Sequence, residues 1–410
     1  MEGGYFMISK DRQKSLKGVM DKINKKFGDG SISILKDVED KLVIQYYPTP
    51  SFEVNAMLGG GIGVGRIVEF YGPNSSGKTS MAFQIIAKAQ QDNPDFIAAW
   101  IETEGSLDSK YLNTFGIDKD RFVVIQQNEE LPAEDCMDII RSLVNSGDFG
   151  IICLNSVAAL CPKKEVEDEL EKQNIALTAR LLSKFLKVTA GQLVKNKCSL
   201  ILINQIRQNL SSLYGGTTTS GGLSIPHYTT QRINMTKVKI ESGDTITDEQ
   251  GVKIKCKVIK NRLAKGNPYK TCHYYAIYGQ GIDAVSELGT VLVREGILYR
   301  SGAWLKFLDE NENILTVVDD YGNRIDGKWN GMKAFTNFIR ENSHAREFFE
   351  NIINEKILTG NTGVAISMEE VIEIEEQNRK IEEINEKIEE MVEKDDSKKK
   401  KNSDKEVAVE

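Results

Sequence analysis

Between an apolar run and a helix-compatible stretch stands Gly72-Pro-Asn-Ser-Ser-Gly77-Lys78-Thr79, and this segment constrains the fold more than any other part of the chain. It matches the pattern G-x-x-x-x-G-K-[ST] in full. The run Arg66–Tyr71 before it predicts a strand, and the run from Lys78 to Ala89 predicts a helix. Strand, glycine loop and helix N-terminus together form an anion cradle. The glycines let backbone N–H groups curl round phosphate oxygens, and the helix dipole adds to the attraction. In such a loop Gly72, Pro73, Asn74, Ser75, Ser76, Gly77 and Ser80 line the nucleotide, Lys78 reaches the β- and γ-phosphates, and Thr79 holds Mg²⁺. A glycine-rich turn arising by chance is the competing reading, and the agreement of motif with context argues against it. The motif implies a nucleoside-triphosphatase fold. It does not say what the energy is used for.

The middle of the chain alternates strand and helix patterns. Short apolar runs occur at Arg66–Tyr71, Phe96–Ile101, Phe122–Ile125, Ile151–Leu154 and Leu200–Ile203, with helical patterns such as Met137 to Val144 between them. Strands buried on both faces read as continuous apolar runs, so the fold class is α/β with a mostly parallel sheet. Ligands in such sheets bind beyond the carboxyl ends of the strands. Upstream, Leu16, Val19, Met20, Ile23 and Phe27 recur at helical spacing and Gly28 and Gly30 end the pattern. This N-terminal helix is expected to pack its stripe on its own core, with docking on a neighbouring subunit as the alternative. After about Gly281 the alternation fades into a small α+β domain. Its strands are expected around Ile297, Tyr299, Trp304, Leu305 and Phe307, and its two helices between Trp329 and Ile353. The expected division is 1–40, 41–282, 283–367 and 368–410. The last segment carries Ile374, Ile381 and Ile388 at seven-residue intervals on a glutamate-rich background, fitting a short coiled coil or a solvated acidic helix, and disorder is expected from Lys398 on.

Composition narrows the class. No apolar run is long enough to span a bilayer, Met1 to Lys10 lacks a signal-peptide layout, and the expected location is the cytoplasm with no membrane partner. The six cysteines form no Cys-x-x-Cys pair and read as buried thiols in a reducing compartment. A net charge of −7 argues against a globally basic nucleic-acid coat but leaves room for a local basic groove.

Several further segments resemble the bacterial RecA recombinase family. They are Gly65-Arg-Ile-Val-Glu-Phe-Tyr running into the phosphate loop, Asn155-Ser-Val-Ala-Ala-Leu160, Asn204-Gln-Ile-Arg207, the Gly- and Thr-rich Gly215–Gly222, and Lys260-Asn-Arg262. Their order and spacing are similar to the family's from about residue 12 to about 358. The resemblance implies that Glu104 activates the attacking water, that Asp108 and Tyr111 hold the adenine, and that Gln205 senses the γ-phosphate. It further implies that Lys260 and Arg262 reach the ATP of an adjacent subunit. Arg180, Lys187 and Arg207 match positions that grip the DNA backbone, Ile175 and Leu210 match apolar wedges between bases, and Gly221 and Gly222 belong to the same DNA-binding loop. The blander readings are a solvated acid for Glu104, a core tyrosine for Tyr111, a basic strand edge for Lys260 and Arg262, a buried helix face for Ile175, and a surface linker for Gly215–Gly222.

Three departures stand out. The strand Ile151–Leu154 ends in Asn155, where P-loop proteins carry a metal-linked aspartate. Its amide keeps an acceptor oxygen and loses a charge, and Glu102 on the preceding strand end is placed to supply it, giving Thr79, Asn155 and Glu102 as the Mg²⁺ side. Pro226 and His227 replace a lysine and a phenylalanine that the family uses between subunits. The region from Asp309 to Asp326 is longer than its counterpart.

The implied activity is an ATP- and Mg²⁺-dependent recombinase. It would form a helical homo-oligomeric filament on single-stranded DNA, pair it with homologous duplex, and meet a single-strand-binding protein or other regulators. The rivals are a RecA-fold hexameric helicase and an ATP-binding filament scaffold that scarcely hydrolyses.

Overall fold

The computed structural model describes residues 9–28, 30–39, 43–167, 177–208, 217–241, 246–263 and 271–359. Two compact units result, divided between Gln45 and Tyr46. The first holds α1 (Lys10–Phe27) and the short α2 (Leu35–Val38). Gly28 ends α1, and its N–H donates to the Asn24 carbonyl. Along α1 no residue is buried, and Val19 and Phe27 are exposed.

The second unit opens with β1 (Tyr46–Tyr47), α3 (Phe52–Leu58) and β2 (Ile62–Gly63), followed by β3 (Ile67–Gly72) and α4 (Lys78–Asp92). The α/β alternation runs through β4 (Ile97–Glu102), α5 (Ser109–Thr114), β5 (Phe122–Gln126), α6 (Ala133–Ser146), β6 (Phe149–Asn155), α7 (Lys163–Glu167), α8 (Leu177–Lys195) and β7 (Ser199–Gln208). Then come β8 (Thr217–Thr219), α9 (Ser224–Tyr228) and four strands, β9 (Gln231–Val238), β10 (Gly251–Asn261), β11 (Thr271–Ile277) and β12 (Gly281–Ile282). One ten-stranded sheet runs in the order β12-β11-β10-β9-β3-β7-β6-β4-β5, with β8 paired to β7. From β9 to β5 all neighbours are parallel, whereas β10, β11 and β12 extend the sheet antiparallel. Strands β3, β4 and β6 are buried almost throughout because α4 covers one face and α6 and α8 the other. All six cysteines are free thiols and five are buried.

The rest of the described chain is α10 (Ala284–Arg294), β13 (Leu298–Ser301), β14 (Trp304–Phe307), β15 (Thr316–Val318), β16 (Arg324–Asp326), β17 (Lys328–Asn330), α11 (Met332–Glu341) and α12 (Ser343–Thr359). A small antiparallel sheet, β13-β14-β17, and three helices close over Phe307, Trp329, Phe335 and Phe349. The long Asp309–Asp326 region folds back as the hairpin β15–β16, and Asp320 in its turn accepts from the Ser343 and His344 N–H groups at the start of α12. The heptad segment and everything after residue 359 lie outside the described residues. No helix among the described residues is long and apolar enough to cross a membrane.

One expectation about the sheet needs correcting. The apolar run at 200–203 suggests a strand that stops before Gln205 and opens a loop. Instead β7 continues to Gln208, because Ile206, Arg207 and Gln208 pair with Thr219, Thr218 and Thr217. Apart from Ile206 the extension is polar and forms no continuous apolar run; its partner strand holds it. The threonine-rich stretch is accordingly a strand, not a linker.

Candidate nucleotide and nucleic-acid site

The loop between β3 and α4 packs as tightly as its composition suggests. A Cβ on Gly72 would stand 1.9 Å from the Met235 carbonyl oxygen, so no side chain fits there. Gly77 has φ +81°, and a Cβ would meet the Tyr274 hydroxyl at 3.0 Å. Lys78 opens α4 and curls back over the loop. Its Nζ donates to the carbonyls of Gly72 (3.2 Å) and Pro73 (2.7 Å) and to Ser76 Oγ (3.3 Å). Burial lowers its pKa, and the negative charge of Glu104 works against that shift. Carbonyl oxygens thus occupy the ammonium that phosphate oxygens would take.

The ends of β4 and β6 meet beside this loop. Thr103 and Ser156 bond each other twice: the Ser156 N–H donates to Thr103 Oγ1 at 2.7 Å, and that hydroxyl donates to the Ser156 carbonyl at 2.9 Å. This stitching places Ser156 Oγ 2.5 Å from Glu104 Oε1, to which it donates. From β7, Gln205 Nε2 donates to the same oxygen at 3.0 Å. The fold therefore brings Glu104 and Gln205 into direct contact. Ser156 was not a site residue on sequence grounds, since a serine after an apolar strand carries no signal of its own. Asn155 and Glu102 also come together, at 3.1 Å.

A cleft of about 520 Å³ adjoins the loop, lined by Ser75, Gly77, Ser80, Tyr111, Lys237 and Tyr278 among others. Tyr111 bonds Ser80 through its hydroxyl at 2.7 Å and is 44 % exposed, so it is not a core tyrosine. Tyr278 also lines the cleft and is 57 % exposed. It was missed because it follows β11, far along the chain from the motif. Asp108 does not line this cleft; its carboxylate caps α5 by accepting from the Lys110 N–H at 2.8 Å.

Lys260 Nζ donates to the carbonyls of Pro226 (2.6 Å) and His227 (3.1 Å), so the two departing residues meet the cation through their backbone. Burial lowers the Lys260 pKa, and the charges of Arg262 and Arg232 lower it further. Arg180 and Lys187 are exposed on α8, and Arg207 is exposed on β7. Gly221 and Gly222 have φ +89° and +74° at the turn into α9, where a Cβ on Gly221 would meet Ile225 at 2.5 Å. The left-handed backbone and this contact both favour glycine at the turn. Ile175 and Leu210 lie outside the described residues. Behind the site, Glu69 on β3 is fully buried, pairs with Arg232 on β9, and accepts from Asn204 Nδ2 at 2.9 Å. The same Nδ2 donates to the Ser220 carbonyl, and Asn204 Oδ1 accepts from the Gln205 N–H.

Comparison with known proteins agrees with this architecture. The model of the RecA N-terminal domain matches residues 14–283. The chain is 35 % identical over 353 residues to Protein RecA of Paenarthrobacter aurescens (strain TC1), covering 85 % of this chain and 94 % of that one. It is 33 % identical over 367 residues to Protein RecA of Acinetobacter baumannii (strain AYE), covering 88 % and 97 %. A family model spanning most of the chain, with relatives above 30 % identity along nearly their whole length, places this chain in the RecA family.

Proposed function

We propose that this RecA-family protein is a DNA-dependent ATPase that pairs and exchanges homologous strands in recombination and repair, working as a helical filament on single-stranded DNA. The observation that carries the reading is the shared carboxylate oxygen of Glu104, held at once by Ser156 and by Gln205. A carboxylate at a strand's carboxyl end, beside the phosphate loop, is placed to orient a water for attack. An amide within reach of both that carboxylate and a terminal phosphate can exchange one for the other. Gln205 lies two residues before Arg207 on one strand, and Asn204 ties its backbone to Ser220. Phosphate state and the DNA-facing segment then share a rigid support.

ATP fits the loop and cleft: backbone N–H groups and Lys78 for the phosphates, Tyr111 and Tyr278 for the base. Among the described residues no group of three or more His, Cys, Asp or Glu is close enough to hold a metal alone. That suits Mg²⁺, which keeps most of its waters and leans on phosphate oxygens. The buried Oδ1 of Asn155, which has no donor among the described residues, is an acceptor that fits such an ion, with Thr79 and Glu102 as the other residues that would hold it. When bound, the ion would neutralise charge growing between the β- and γ-phosphates. Arg180, Lys187 and Arg207 would neutralise DNA phosphates without reading sequence. Lys255 and Lys257, two residues apart on β10 and both exposed, add positive charge on one face of the antiparallel extension. Lys260 and Arg262 are assigned to the nucleotide of an adjacent subunit. Residues 283–367 are read as a small separate domain and 1–40 as the segment that docks between subunits.

The test is Lys78→Ala with ATPase and DNA-binding assays on the full chain. The variant should keep its fold and lose nucleotide-dependent DNA binding, and unchanged ATP turnover would defeat the assignment.

A further inference from the structure

Helix α11 has two faces. Phe335 and Ile339 are fully buried in the core they share with Phe307 and Phe349. Met332, Thr336 and Arg340 stand one turn apart on another face, with Lys333 and Asn337 beside them. That stripe lines a second cavity, of about 980 Å³, whose lining also includes Ile246, Ile277 and Tyr278. Thr336 is 8 % exposed, and its Oγ1 is buried without a hydrogen-bond partner among the described residues. A fold keeps an unbonded buried hydroxyl only at a cost, which a ligand bonded to it removes. Arg340 donates to Asp283 Oδ2 at 2.7 Å and to Ser286 Oγ at 3.0 Å, both through Nη2, which leaves Nη1 and Nε free to donate. Lys333 is exposed and unpaired among the described residues. The stripe thus offers a hydroxyl and two cations, and Glu249 is the acid among the residues lining the cavity.

We propose that this cavity is a second ligand site, for a small organic anion with a flat apolar body, and that its occupant acts on the nucleotide cleft through Tyr278. The acidic group would lie along the α11 stripe, accepting from Lys333, Thr336 and Arg340. Ile246, Ile277 and Met332 suit the body, since bound organic ligands rest mostly on apolar walls and are oriented by a few polar groups. The cavity lies where the core beneath β11 meets the core beneath α11, and such junctions favour ligand sites. The negative charge of Glu249 favours a ligand with a single acidic group over a polyanion such as a triphosphate. The link to the nucleotide is geometric. Ile277 and Tyr278 line this cavity and the nucleotide cleft alike. A ligand packed on the Tyr278 ring restricts the positions that ring can take, so a nucleotide base then meets a wall already ordered. Such coupling is reciprocal, and each ligand should tighten the other by the same factor. The coupling rests on the reading of Tyr278 at the base; the site itself does not.

The experiment uses the full-length protein, with 2-naphthoate as the probe and ADP with Mg²⁺ held saturating so that the phosphate loop is occupied. Equilibrium dialysis should show saturable binding of one equivalent. Lys333→Glu should weaken it about tenfold, the scale of losing a charge-assisted contact and meeting a like charge instead. Thr336→Val should weaken it about threefold and leave Tm unchanged or raised, because the hydroxyl removed has no partner to lose. A Thr336 that serves only the helix would lower Tm on replacement and leave probe binding intact, which counts against the site. In a second titration the probe should tighten binding of a fluorescent ADP analogue about fivefold. Lys333→Glu should abolish that effect without changing ADP affinity measured alone. Absence of saturable binding, or binding indifferent to both substitutions, overturns the site. Binding that depends on Lys333 and Thr336 but leaves ADP affinity unmoved overturns the coupling. If Tyr278→Ala then also leaves ATP binding unchanged, the base reading of Tyr278 falls while the second site stands.

Discussion

Removing the guanidinium of Arg232 should cost more stability than most single changes in this protein, and the reason lies in Glu69. That carboxylate is 0 % exposed and stands beside Arg232 in the register of β3 and β9. In Arg232→Met it keeps the Asn204 amide at 2.9 Å and loses its counter-charge. Breaking a buried ion pair from one side costs about 3–5 kcal/mol, because the remaining charge is uncompensated. Arg232 also lies over the Tyr71 ring at 4.9 Å, and that contact adds about 0.5–1 kcal/mol. The expected loss is therefore about 4–5 kcal/mol in equilibrium urea denaturation of the nucleotide-free protein, read from the midpoint at constant slope. Replacing both partners, as Glu69→Gln with Arg232→Met, removes the stranded charge and should regain about 2 kcal/mol or more over the single variant. Arg232 Nη2 also donates to Thr219 Oγ1 at 3.4 Å, so the single variant should loosen the β8 segment and weaken DNA binding as well. A loss below about 1 kcal/mol, or a double variant no better than the single, would show that the pair does not carry the load argued for it.

Three other outcomes are expected. Glu104→Gln should bind ATP normally and hydrolyse it about 10²–10⁴-fold more slowly, as measured by single-turnover assay; equal rates would assign water activation elsewhere. Arg207→Ala should weaken DNA binding across sequences and reduce the salt slope by about 0.7, whereas Leu210→Ser should leave the slope intact and lower strand-exchange yield. Tyr278→Ala should weaken ATP binding while leaving inorganic phosphate competition unchanged, because its ring lines the cleft and is assigned to the base and not to the phosphates; a fall in both would place Tyr278 in the support of the loop.

The strand–loop–helix unit around Gly72–Thr79 is legible in the sequence because each of its parts has its own local signature: an apolar run, fixed glycines and an amphipathic stretch. The same holds for the parallel strands β4 and β6, whose burial on both faces leaves continuous apolar runs. Strand β7 beyond Asn204 has no such signature, since all but Ile206 of its last residues are polar and their partners lie across an intervening segment. The antiparallel extension β10–β12 was likewise hidden: its lysines alternate with apolar residues, and a basic strand of that kind reads as an edge although it has a neighbour on each side. At the site, Glu104 and Gln205 were identifiable only through family resemblance, and their contact only through the fold. Asp108 has a local role that the sequence pattern does not announce, since its carboxylate caps α5.

The two glycines of the phosphate loop answer to the protein interior as well as to any ligand. Gly72 is pressed against the Met235 carbonyl and Gly77 against the hydroxyl of Tyr274, a side chain that is itself fully buried. A descendant of this chain that abandoned nucleotides would still be held to glycine at both positions by steric fit. Its loop would drift slowly and keep the look of an active motif long after the chemistry had gone. Glu104 is exposed, and its side-chain partners among the described residues are Ser156 and Gln205. Nothing in the core protects it, so in a decaying lineage it would be among the first residues to change.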